Sequence, residues 1–201
     1  PTQAMPVREI LVKSSNLGTV LTAQRITSST LESYLHAFGF GDKTALDFPD
    51  ESPGILKPVS KWRGTEKITV AYGYGFASTS LQLISAVNVI ANNGTYVAPR
   101  IVSGTIDKSG KLRSNEPSST RPVLTQTTAT QMNLMMRDVV CFGTGTLAKI
   151  PGMTVAGKTG TGYKVQRDGT YGSDTTGRKY FASFVGFLPA EDPQVTILVS
   201  I

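Results

Sequence analysis

A chain of 201 residues with 39% hydrophobic content can bury one sizeable core and is too short for two comfortable ones. Its formal charge of +6 comes from dispersed Lys and Arg, with no run of five or six like charges and no reader motif. This argues for a solvated surface mildly attracted to an anionic wall, and for no nucleic-acid partner. A single cysteine excludes an internal disulfide, and no stretch approaches the roughly 18 apolar residues that a membrane span needs. Cys141 follows Val139-Val140 and is expected to be a buried small apolar residue. No signal peptide is visible. The chain opens Pro1-Thr2-Gln3 and stops inside an apolar run at Ile201, so both ends are expected to be cuts in a longer protein.

Met5 to Lys13 reads as a short helix ending before Ser14, and Asn16 to Arg25 as the next, with Leu17, Val20 and Leu21 on one face. Ser29-Thr30-Leu31-Glu32 has the form of a capping box for a helix carrying Leu31, Tyr34, Leu35 and Phe38, ended by Gly39 and Gly41. From Gly41 to Gly64, prolines at 49, 53 and 58 predict an ordered extended surface loop. Thr79 should cap a helix through Leu81, Leu83, Ile84, Val87 and Ile90, stopped at Asn92-Asn93-Gly94. Tyr96 to Ile106 alternates as one strand would, and Lys108 to Pro122 is a polar surface excursion. Thr125 to Val140 is a helix whose Met132, Met135, Met136 and Val139 fill core. Met153 to Gly162, Tyr180 to Leu188 and Val195 to Ile201 read as strands. Residues 169–177 form a polar connection, and Pro189 to Pro193 a hairpin turn. Helices first and an antiparallel sheet last make an α+β chain without an internal linker.

Two short patterns carry chemistry. Lys158-Thr159-Gly160-Thr161 lies on a predicted strand, offering a cation and hydroxyls, with Gly160 leaving room for another backbone to approach. Ser14-Ser15-Asn16 sits at a helix junction, where by itself it would be ordinary capping. Together and in this order they resemble the second and third of the three motifs of penicillin-binding proteins, Ser-x-x-Lys, Ser-x-Asn and Lys-Thr-Gly. The resemblance runs on. Phe40-Gly41, Thr44 to Asp47 and Glu51 to Gly54 look like the loop after the second motif in class B members. Ala71-Tyr72-Gly73-Tyr74-Gly75 with Thr79 to Leu83 resembles a Gly-x-Gly turn and a Thr-Pro-Leu-Gln-Leu helix, with Ser80 in place of the proline. Ala91 to Tyr96, Val155 to Thr161 and Ala182 to Ala190 also match. The chain is thus identified as resembling a class B penicillin-binding transpeptidase on its division-specific branch. Residues 1–201 would be the C-terminal portion of one domain with the serine β-lactamase-like fold.

The resemblance implies a serine acyltransferase that cross-links D-Ala-D-Ala stem peptides, is acylated by β-lactams and uses no cofactor. Ser14 would relay protons, Asn16 orient the motif-one lysine and the substrate amide, and Lys158 hold a positive field. Thr159 and Thr161 would bind the terminal carboxylate beside Gly160, and the Thr161 N–H would form half an oxyanion hole. Tyr163, Lys164 and Arg167 are candidates to line the cleft. It further implies other cell-wall synthesis or division proteins as partners, and a place on the extracytoplasmic face behind an N-terminal membrane anchor.

The departure is the nucleophile. No Ser-x-x-Lys occurs; Thr105 to Lys108 and Thr146 to Lys149 have its spacing with threonine, and both follow the second motif instead of preceding it. The missing segment is expected upstream, so this chain alone should not acylate. His36, the one histidine, reads as structural, which leaves no Ser-His-Asp triad, and one Cys with one His makes no common zinc site. No phosphate-loop pattern occurs. Two alternatives stand: a non-catalytic penicillin-recognising sensor or scaffold, and a β-lactamase or carboxypeptidase of the same fold. The last would need a deacylating carboxylate, for which Glu51 is the candidate considered.

Overall fold

The computed structural model describes residues 4–46, 48–164 and 177–201. Six α-helices are seen among them: α1 (Val7–Val12), α2 (Asn16–Ala23), α3 (Ser28–Ala37), α4 (Glu66–Ala71), α5 (Ser80–Ala91) and α6 (Gln126–Phe142). The strands are β1 (Thr95–Val97), β2 (Gly104–Ile106), β3 (Leu112–Ser114), β4 (Thr120–Pro122), β5 (Ala156–Tyr163), β6 (Tyr180–Leu188) and β7 (Val195–Ser200). This is the expected α+β order, with an antiparallel sheet β5-β6-β7 at the end.

Successive strand side chains alternate between faces, and here one face of the sheet meets the helices. Ala156 of β5 and Phe187 of β6, both fully buried, pack with Met136 of α6 and Ala91 of α5. Thr196 of β7 donates to the Asn88 amide oxygen of α5 on the same side. The long α6 crosses beneath β5 and also carries α1, tied by the Arg8–Asp138 ion pair. Met136 and Val139 are therefore core, as their helical spacing predicts, while Met132 and Met135 of the same expected stripe are only partly buried.

Several local expectations change. Cys141 is exposed, because it lies on the outer side of α6 while Val139 and Val140 face inward. The Ser29 capping box does not form. Thr27 caps α3 instead, accepting from the Thr30 N–H, and the Glu32 carboxylate reaches 27 residues along the chain to accept from the Val59 N–H. Tyr96 to Ile106 is two short strands. β1 pairs with β4 and β2 with β3, so the polar excursion supplies both partners. α4 falls in a stretch given no helix from sequence, since six residues offer less than two turns of periodicity. The polar connection assigned to 169–177 lies outside the described residues apart from Gly177.

The loop from Gly41 to Gly64 is pinned from below by Gln82. Thr79 and Gln82 form a reciprocal capping box at the start of α5. The same amide donates to the carbonyls of Asp42 (2.8 Å) and Pro53 (2.9 Å), with Gln82 fully buried. Replacing Gln82 with Leu strands these two carbonyls and the Thr79 N–H in the interior. The expected loss is about 2–4 kcal/mol, read from the denaturant midpoint of the intact protein; a loss below about 1 kcal/mol would mean that water satisfies the loop equally well.

Candidate active site

Ser14 occupies a position normally given to glycine. At the end of α1 the Ser15 N–H returns to the Ile10 carbonyl (2.9 Å) and the Ser14 N–H to the Leu11 carbonyl (3.2 Å). This is a Schellman closure, and its C′ residue, Ser14, is left-handed at φ 52°. Ser15, in turn, caps α2 by accepting from the Gly18 N–H. The two serines thus divide the work: Ser15 holds the backbone, and Ser14 is thrust out between two helices with its hydroxyl unengaged by either. Non-glycine residues in this conformation carry strain and concentrate at functional sites.

The Lys158 ammonium meets that hydroxyl. Lys158 lies two residues beyond Ala156 and so shares its helix-facing side of the sheet. Its Nζ donates to Ser14 Oγ (2.9 Å) and to the Thr159 carbonyl (2.9 Å). Partial burial pushes the Lys158 ammonium below its ordinary value. The Ser-x-Asn and Lys-Thr-Gly motifs, 144 residues apart, therefore meet at one hydrogen bond.

Strand β5 pairs with β6 on one edge and, among the described residues, with no strand on the other. The Lys164 N–H donates to the Lys179 carbonyl across that pair. The alternation of an antiparallel ladder then sends the main-chain groups of 162, 160 and 158 toward β6, and those of 163, 161 and 159 outward. Two observations agree: the Thr159 carbonyl accepts from Lys158, and the Tyr163 N–H donates to the Tyr74 hydroxyl (3.2 Å). The Thr161 N–H consequently points out of the open edge.

This edge forms one wall of a cleft of about 920 Å³. Ser14, Asn16, Lys158, Thr159, Gly160, Thr161 and Tyr163 all line it, so the residues singled out from the two motifs are brought together with Tyr163. Asn16, on the first turn of α2, is exposed to the cleft and its side chain bonds no described residue. Tyr72, Tyr74 and Tyr180 also line the cleft; Tyr74 and Tyr180 each meet the Tyr163 ring at a tilt, and Tyr72 meets Tyr74 in the same way. The Arg178 guanidinium lies 5.1 Å over the Tyr163 ring. Lys164 is exposed and is not among the lining residues, and Arg167 lies outside the described residues. Sequence reasoning missed Thr144, after the end of α6, whose hydroxyl is 2.7 Å from that of Thr159. A threonine between two glycines has no motif to mark it.

Glu51, the carboxylate considered for deacylation, is engaged elsewhere. It accepts from both the Thr44 N–H (2.9 Å) and hydroxyl (2.6 Å). Burial pushes its carboxyl up, and the Thr44 hydrogen bonds, with smaller help from Lys43 and Leu46, bring it below the usual value. It does not line the cleft. His36 pairs with Asp42 at 2.8 Å, a structural tie between α3 and the following turn. Among the described residues no group of acidic, His and Cys side chains could hold a metal.

Two outcomes test this geometry. Ser14→Gly should leave the fold about 1 kcal/mol more stable than Ser14→Ala, since only glycine escapes the left-handed penalty; equal melting curves would contradict it. Lys158→Met should be more stable relative to the native protein at pH 7 than at pH 10. With the folded pKa depressed, the unfolded chain binds more protons between the two pKa values, so native stability rises with pH there. Paired unfolding curves at the two pH values check the sign.

The whole of residues 1–201 matches the family described as the penicillin binding protein transpeptidase domain. Stage V sporulation protein D of Bacillus subtilis is 35% identical over 195 residues, covering 96% of this chain and 29% of the relative. A probable peptidoglycan D,D-transpeptidase PenA of Neisseria meningitidis is 32% identical over 198 residues, 98% of this chain and 32% of the relative. Penicillin binding protein 3 of Mycobacterium tuberculosis, solved in complex with aztreonam, superposes with a TM-score of 0.90 at 31% identity. That match covers 96% of this chain and 44% of that one. The chain thus spans about a third of the length of these curated relatives. With the fold, the motif pair and the matched span all in agreement, the chain belongs to the penicillin-binding protein transpeptidase family, in its class B branch.

Proposed function

We propose that this chain is the C-terminal portion of a single peptidoglycan DD-transpeptidase domain, and that its cleft binds D-Ala-D-Ala stem peptides and β-lactams. The observation that carries the reading is the Lys158–Ser14 hydrogen bond beside an open strand edge. An upstream Ser-x-x-Lys segment of the same protein supplies nucleophile and base. The serine hydroxyl adds to the carbonyl of the penultimate D-Ala while its proton passes to that lysine. The C–N bond then breaks, and the terminal D-Ala leaves as an amine that takes up a proton. An amine from a neighbouring stem attacks the acyl-enzyme, loses a proton and restores the serine.

Each residue of the cleft has a place in that sequence. Ser14, whose hydroxyl accepts from Lys158, passes the proton toward the leaving amine. Asn16, with no partner among the described residues, orients the upstream lysine and the substrate amide. Lys158 holds positive charge where the terminal carboxylate sits, and its depressed pKa reflects the same partial burial that strengthens its field. The Thr159 and Thr161 hydroxyls bind that carboxylate. The outward Thr161 N–H stabilises the oxyanion, a contribution of about 2.7–4 kcal/mol for one donor. Gly160 leaves the edge open for the substrate backbone, and Tyr163 borders it.

Acyl transfer is favoured over hydrolysis because no carboxylate among the described residues lines the cleft and Glu51 is committed to Thr44. A purely recognising module would have no use for the strained Ser14. The resemblance of the chain to class B members, read as their division-specific branch, supports a role in septal wall synthesis with other division proteins. It also supports a place on the extracytoplasmic face behind an upstream membrane anchor; among the described residues no helix is long and apolar enough to cross a membrane.

Covalent labelling with a fluorescent penicillin tests the proposal. A longer chain that includes the upstream sequence should label, Lys158→Ala should slow labelling by about 10²–10³-fold, and residues 1–201 alone should not label. Absence of label on the longer chain would favour the sensor or scaffold, and label on residues 1–201 alone would place the nucleophile inside this sequence.

A further inference from the structure

Thr144 stands where three parts of the site converge. It follows α6 in the run Gly143-Thr144-Gly145. Its N–H donates to the Val12 carbonyl (3.4 Å), at the end of α1 and two residues before Ser14. The approach needs a bare backbone: a Cβ on Gly143 would lie 2.4 Å from that same Val12 oxygen. On its other side the Thr144 hydroxyl lies 2.7 Å from the Thr159 hydroxyl. One residue therefore touches the turn that presents Ser14 and the strand that carries Lys158 and Thr159.

The chemistry of the hydroxyl pair is directional. A threonine hydroxyl has one proton and two lone pairs. Thr159 Oγ1 lies 3.5 Å from Lys158 Nζ, a group that can only donate, and 2.7 Å from Thr144 Oγ1. If the Thr159 proton pointed at Thr144, the hydroxyl would present only lone pairs to a ligand and would repel an anion. If Thr144 donates, the Thr159 hydroxyl accepts from both neighbours and its own proton turns into the cleft. The second arrangement is the one that can grip a carboxylate.

We propose that Thr144 is a positioning residue which, by donating its proton to Thr159, directs the Thr159 hydroxyl at the carboxylate of the ligand while holding the Ser14 turn against the same strand. The inference rests on the reading above in which Thr159 binds the terminal carboxylate. It adds a residue that acts through Thr159 and makes selectivity for an anionic ligand depend on a group outside the three motifs.

The test compares acylation of the full-length protein by benzylpenicillin and by its methyl ester, which lacks the negative charge. Thr144→Val should lower the acid-to-ester ratio of acylation rates about tenfold, the effect of one hydrogen bond to a charged group, with the ester rate unchanged. Thr144→Ser, which keeps the proton, should restore the ratio. An equal slowing of acid and ester in Thr144→Val would mean a merely structural role and overturn the proposal, as would a ratio left at the native value. Thr159→Val separates the two levels of the argument. A ratio unchanged in Thr159→Val overturns the carboxylate reading and this proposal with it. A ratio lowered in Thr159→Val and native in Thr144→Val overturns this proposal alone.

Discussion

What strand β5 offers to a ligand depends on its being paired, among the described residues, along one edge only. The ladder with β6 consumes the main-chain groups of alternate residues and fixes the parity of the rest. From that parity follow the outward Thr161 N–H, the outward Thr159 carbonyl that anchors the Lys158 ammonium, and the Tyr163 N–H taken by Tyr74. A register slip of one residue would turn all of these into the sheet and carry Lys158 to the far face. What prevents the slip is burial: Ala156 and Phe187, opposite each other in the ladder, are both fully buried under α5 and α6. The geometry of the site is thus inherited from the packing of the core.

Two uncomfortable features meet at the site. Ser14 is left-handed and Lys158 is partly desolvated, two departures that each cost stability. They are coupled, since the ammonium that has lost water gains the hydroxyl that the strained turn presents. Neither feature is needed by the helices they adjoin. Ser15 alone caps α2, and glycine would close α1 with less strain. A close-packed surround keeps both in place: α1 is tied to α6 by Arg8–Asp138, and the Gly143 backbone abuts Val12.

Much of this was legible in the sequence, and unevenly so. The α5 and α6 helices, the β5–β7 strands and the hairpin between the last two were readable because their periods run long enough to be unambiguous. The two motifs were readable only as an ordered pair, since each alone is common turn chemistry. Residues whose roles depend on distant partners were not readable. Glu32 fits a capping box locally, yet its carboxylate finds a more distant amide. Cys141 sits on the turn of α6 where one residue's rotation separates core from surface. Thr144 has no local signature, because its meaning lies in Val12 and Thr159, 132 and 15 residues away.

The cleft is also one-sided in its chemistry. Lys158, the Thr161 N–H and the hydroxyls of Ser14, Thr159 and Thr161 can all donate, and no described carboxylate lines the wall. Such a surface suits the proposed ligands, since a D-Ala-D-Ala terminus and a β-lactam both carry negative charge at one end and, nearby, a carbonyl that becomes an oxyanion. In the proposed reaction, the relay through Ser14 that protonates the leaving amine would, run in reverse, accept the proton of the incoming one. On that proposal, recognition and transfer draw on the same set of donors, which meet the ligand's charge in the ground state and its oxyanion in the transition state.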